Sequence, residues 1–131
     1  MVTGMTINDK KQWLDRARKT HNEAEAIKIK LQTLEAARNL SELHSPTQEE
    51  IDSMQEAYLR SIIKECCCLM EIIKAIEAAD MSPEHASILI CKYVEYLTLR
   101  ECSEELRYSF GHIARLHSQA VQAFTVPAPH A

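Results

Sequence analysis

Glycine and proline are nearly absent from this sequence. Its 131 residues include two glycines, Gly4 and Gly111, and four prolines, of which Pro127 and Pro129 fall in the last five positions. Strand-rich folds turn on glycine-rich loops, so a sandwich or barrel is not expected. Nucleotide loops of the Rossmann or P-loop kind need clustered glycines, and none are clustered. Aromatic residues make up only 5%, while hydrophobic residues reach 46% and charged ones 26%, which describes an aliphatic helical chain rather than a disordered one. No run approaches the ~18 apolar residues of a membrane span, so no membrane partner is expected. Met1 to Lys11 is polar and lacks the order of a secretory leader. The five cysteines are therefore expected as free thiols in a reducing cytoplasm. The net charge of −4 does not advertise nucleic-acid binding by the chain as a whole.

What is present is long helical periodicity. Residues 1–7 read as a frayed start. From Asn8 to Leu43, Trp13, Ala17, Ala24, Ile27, Leu31 and Leu34 recur at alternating spacings of three and four, with Thr20 filling the gap. This is the seam of a helix packed on another helix. About 36 residues would extend about 54 Å, so this helix needs a comparably long partner. Pro46 breaks the pattern, because it disfavours helix at Ser45. Thr47 followed by Glu50 is a capping box that opens a second helix, from Gln48 to Ala79. Its stripe is Ile51, Met54, Tyr58, Ile62, Leu69, Ile72, Ile76 and Ala79. The short connection predicts an antiparallel, coiled-coil-like hairpin over residues 1–81. Such a hairpin buries one side of each helix, so a homodimer or higher homo-oligomer is expected.

Ser82-Pro83 is an N-cap followed by a helix-compatible proline, and predicts a third helix to Tyr96. Thr98 with Glu101 caps a short fourth helix ending near Leu106. Ser109 caps a fifth, Phe110 to Phe124. The remainder, 125–131, is expected to be a disordered tail.

No catalytic set is apparent, so the protein is not expected to be an enzyme, and no cofactor is expected. The run Cys66-Cys67-Cys68 cannot converge on a metal, because consecutive helical side chains diverge by about 100°. No metal site is expected.

Residues 99–118 carry the most specific pattern. A helix-turn-helix needs a small residue where its two helices cross, and Ser103 occupies that place. It needs apolar residues to bury the crossing, and Leu99, Cys102, Leu106, Ile113 and Leu116 supply them, with Tyr108 in the turn. In such a unit the second helix lies in a DNA major groove and its N-terminal side chains reach base edges. Arg107, His112, Arg115 and His117 then make the turn and the fifth helix locally positive. Acids lie mostly on the fourth helix, and residues 83–131 have a net charge of −1.

The segment from Tyr93 to Phe124 resembles region 4 of sigma-70-type factors. The stretch Glu101 to Phe124 is more closely similar to the C-terminus of the ArpU/RinA-like regulators of phage late or packaging genes, through Tyr108, Ser109, His112, Arg115, Leu116, His117 and Ala120. Arg107 stands where that family usually has glycine, and Cys102-Ser103 replaces its usual Ile-Ala pair. The resemblance implies a phage- or prophage-encoded, sequence-specific transcriptional regulator in the bacterial cytoplasm, bound to double-stranded DNA and in contact with RNA polymerase. The expected DNA-binding residues are Arg107, Ser109, Phe110, Gly111, His112, Arg115 and His117, over a DNA-binding domain of residues 82–124. The competing expectation is a helical adaptor or inhibitor that does not bind DNA and engages RNA polymerase or another host protein.

Overall fold

The computed structural model describes residues 5–40 and 45–127. Among them every regular element is helical: α1 (Ile7–Leu14), α2 (Arg16–Leu40), α3 (Gln48–Ala78), α4 (Pro83–Leu89) with a π turn at Ile90–Val94, α5 (Leu99–Leu106) and α6 (Phe110–Ala123).

Of the start expected to be frayed, residues 1–4 lie outside the described ones, and from Thr6 onward the chain is capped. Asp9 N–H donates to Thr6 Oγ1 at 3.0 Å, and Thr6 N–H donates to Asp9 Oδ2 at 3.1 Å. These reciprocal bonds satisfy two of the orphan donors of α1. The single helix expected from Asn8 to Leu43 is interrupted at Asp15, whose φ of −84° and ψ of 2° leave the helical geometry while its N–H still bonds the Lys11 carbonyl at 2.9 Å. The far end of that expected helix lies beyond Leu40, outside the described residues. The second capping box forms as its sequence predicts, with Glu50 N–H on Thr47 Oγ1 at 3.1 Å and Thr47 N–H on Glu50 Oε2 at 3.0 Å.

The chain forms two compact units, and their limits are not the expected boundary at 81/82. One unit comprises Lys19–Cys67; the other combines the chain up to Arg18 with the chain from Cys68 onward. In the Lys19–Cys67 unit, Thr20, Ala24 and Ile51 are buried and Ile27, Leu31, Leu34, Met54, Tyr58 and Ile62 are half-buried. His21 Nδ1 lies 3.2 Å from both Glu65 oxygens, and Arg38 bonds Gln48. Residue 21 thus meets 65 while 38 meets 48, so within this unit the two helices run in opposite directions.

The other unit holds the larger core. Leu14, Ile72, Ile88, Leu89, Cys102, Ile113, Ala120, Val121 and Phe124 are fully buried. Helix α6 packs on α1, α4 and α5. Its inward residues Ile113, Leu116, His117, Ala120 and Val121 recur every three or four positions, as burial of one helical face requires. The tail expected to begin at Thr125 is not detached there. Phe124 is fully buried and Val126 packs against the core; residues 128–131 lie outside the described ones.

The third helix ends differently from its expected course to Tyr96. After Leu89 the backbone widens, Glu95 N–H bonds the Ile90 carbonyl at 3.0 Å, and Leu97 N–H bonds Cys91 O at 3.1 Å. Tyr96 closes this turn at φ 62°. Asp80 and Arg107, at φ 51° and 60°, are likewise left-handed at the ends of α3 and α5. Glycine occupies such positions at least cost, and three larger residues carry them here.

Candidate nucleic-acid interface

Helix α5 begins at a third capping box. Glu101 N–H donates to Thr98 Oγ1 at 3.1 Å, and Thr98 N–H returns a bond to Glu101 Oε1 at 3.0 Å. The bonds from the Thr98 backbone and hydroxyl hold the Glu101 carboxyl below the usual carboxylate range. The helix ends at Arg107, with ψ 42°, and the N–H groups of Arg107 and Tyr108 both donate to the Ser103 carbonyl. This closure turns the chain within three residues. Ser109 then caps α6, its hydroxyl accepting His112 N–H at 3.2 Å.

The crossing of α5 and α6 is built by the residues expected to bury it. Cys102 and Ile113 are fully buried, Leu116 nearly so, and Leu99, Ser103 and Leu106 are half-buried. Tyr108 differs: it stays 37% exposed and presents an edge to the His112 ring, with centroids 4.8 Å apart. Burial pushes the Cys91 thiol up to about 12, helped by the Glu95 charge, and pushes the Cys102 thiol up as well. Both thiols are therefore protonated and inert at neutral pH.

Of the seven expected DNA-binding residues, six are accessible. Arg107 and Ser109 in the turn and Phe110, Gly111 and Arg115 on α6 are exposed, and His112 is half-exposed. The side chains of Arg107 and Arg115 engage no partner among the described residues. A Cβ placed on Gly111 would meet nothing within 4 Å, so packing inside the chain does not require glycine there. The C-terminal half of α6 is already engaged: His85 Nε2 meets Gln119 Oε1 at 3.2 Å, and Lys10 Nζ bonds the Gln122 carbonyl at 2.9 Å.

His117 is the correction. It is 6% exposed, with Nε2 2.7 Å from the Tyr93 hydroxyl and its ring stacked on that of Tyr93. Burial first, then the positive charges of Lys11 and Lys92, lowers it to about 4. A buried, neutral imidazole on the inward face cannot reach a phosphate. Its place was available in the sequence, because His117 follows Ile113 by four and precedes Val121 by four on the apolar stripe.

Arg100 was missed. Its guanidinium lies over the Phe110 ring at 5.2 Å from the centroid, a cation–π contact that brings a third arginine to the start of α6. Glu101, Glu104 and Glu105 are also exposed on α5, so the positive surface is local.

Arg107→Gly should raise the stability of this unit by up to about 1 kcal/mol, since glycine adopts φ 60° without the side-chain penalty. Denaturant unfolding checks this. A loss of stability would mean that the Arg107 side chain makes contacts that outweigh its backbone cost.

The chain matches no protein-family model, no curated protein and no solved structure. Its described residues define an all-helical protein. No described helix is long and apolar enough to cross a membrane, and no described group of three His, Cys, Asp or Glu residues could hold a metal.

Proposed function

We propose that this protein is a sequence-specific DNA-binding transcriptional regulator, of the kind that controls late or packaging genes in phages and prophages. Helices α5 and α6 act as a sigma region 4-like helix-turn-helix, with the N-terminal half of α6 in the major groove. The long helices act as an oligomerisation hairpin, and bacterial RNA polymerase is a second partner. The observation that carries the reading is the open ledge at the start of α6, where Arg107, Ser109, Phe110, Gly111, His112 and Arg115 lie together and Arg100 leans in over Phe110. Arginines there suit phosphates and guanine edges, and Phe110, 46% exposed, suits a thymine methyl.

Titration of phage late-promoter DNA by fluorescence anisotropy tests the reading. Arg115→Ala should weaken specific binding by about 1–3 kcal/mol. Affinity should fall with salt, but on a shallow slope set by few phosphate contacts. Tight binding that Arg115→Ala leaves unchanged would overturn the assignment of α6.

The exposed Glu101, Glu104 and Glu105 favour a second reading, in which the same unit engages a host protein as an adaptor or inhibitor. Capture of such a protein with no DNA binding at low salt would establish it.

A further inference from the structure

Two of the cysteines come together inside the larger core. Cys91 lies on the π turn and Cys102 on α5, and these two elements pack on each other. Cys91 is buried and Cys102 is fully enclosed. Their thiols are within hydrogen-bonding reach of each other, and Cys91 is also within reach of the Glu95 carboxylate. Three carboxylates, Glu95, Glu101 and Glu105, and one ammonium, Lys92, act on the pair. Thiols this well buried are held protonated and react slowly with oxidants and alkylating agents. A thiophilic metal ion acts differently, because it displaces the thiol protons as it binds.

We propose that Cys91 and Cys102 form a two-coordinate site for a soft divalent cation of the mercuric class, held between the two sulfurs. Each thiol releases its proton to solvent, two metal–sulfur bonds form, and nothing is oxidised or reduced. The divalent ion replaces two protons, so the core gains no net charge. A monovalent soft ion would leave one negative charge beside the three carboxylates, which disfavours it. Zinc is unsuited by number: it takes four ligands, and among the described residues no group of three His, Cys, Asp or Glu could hold a metal. The two sulfurs act as a chelate, because once the first bond forms the second is intramolecular. A bound ion would tie the π turn to α5. DNA binding plays no part in it.

Cys66, Cys67 and Cys68 are the other thiols of the chain, so the test uses the full chain with those three changed to serine. After loading with mercuric chloride and dialysis against excess glutathione, native mass spectrometry should show one ion on each single chain. X-ray absorption should show two sulfur ligands with no nitrogen or oxygen. Cys91→Ala and Cys102→Ala in this background should each lower the affinity at least about a hundredfold, because only one thiol remains. Loading should raise the Tm of the parent and not that of either alanine variant. Circular dichroism checks that the variants keep their helicity. If one does not fold, the absorption spectrum of the parent still decides the coordination. Loss of the ion to glutathione, a shell of other than two sulfurs, or retention unchanged in either alanine variant overturns the site.

Discussion

Replacing Phe124 by alanine should cost about 3–5 kcal/mol, the range for removing a fully enclosed phenyl ring. Domains are commonly stable by only about 5–15 kcal/mol, so this single change should leave its unit marginal or unfolded. Phe124 follows the last residue of α6 and is fully buried, with its ring 5.6 Å from that of Trp13. Its N–H closes α6 on the Ala120 carbonyl at 2.9 Å. The contact joins residues more than a hundred positions apart, so losing it loosens the whole unit and not only the helix end. Trp13 is the one tryptophan, which makes its fluorescence a direct reporter of denaturant unfolding. Val126→Ser, at a half-buried position, should cost visibly less. A Phe124→Ala loss below about 1 kcal/mol would show that the ring is not enclosed.

Acidification should produce the second large effect, through His117. Burial holds its imidazole neutral down to about 4, against an ordinary 6.5. The unfolded chain therefore binds a proton over a range in which the folded chain does not. By linkage, the contribution is present above 6.5 and is lost as the pH falls towards 4. The full loss is about 3 kcal/mol from the size of the shift. Burial and the nearby Asp15 charge push the Tyr93 hydroxyl up, so it stays protonated throughout and the pair titrates only at the imidazole. Denaturant unfolding at pH 7 and at pH 4 measures the difference. His117→Gln keeps a hydrogen-bonding group beside Tyr93 but cannot titrate, and should flatten the dependence. Equal acid sensitivity in that variant would assign the effect to other groups.

Much of the local structure is written in short sequence signals. Thr47-x-x-Glu50 and Thr98-x-x-Glu101 form capping boxes because the two residues need only each other. Ser82 caps α4, Ser109 caps α6, and the seam residues from Ala17 to Leu34 are buried or half-buried at their expected spacing. The π turn after Leu89 was not legible, because no glycine or proline marks it. Nor was the left-handed backbone of Asp80 and Tyr96, where glycine would have been the signal.

For the candidate interface, sequence placed Arg107, Ser109, Phe110, Gly111, His112 and Arg115 on one stretch, and none of the six is buried. It could not say that Arg100 would lean over Phe110, because that contact joins the starts of two helices and depends on how they cross. Nor could it say that Leu59, Ile63 and Met70 of α3 stay exposed while Ile72 and Ile76 are buried, since periodicity fixes the direction of a side chain around a helix but not what lies opposite.

The sequence by itself determined where the capped helices α3 to α6 begin and how their apolar residues are spaced, because capping bonds and the 3.6-residue period act within a few positions of the chain. Tertiary structure alone decided that Phe124 meets Trp13, that Tyr93 is the group His117 meets, and that Leu59, Ile63 and Met70 are left exposed. Each of those outcomes depends on which distant segment fills the space beside the residue, and packing settles that rather than local chemistry.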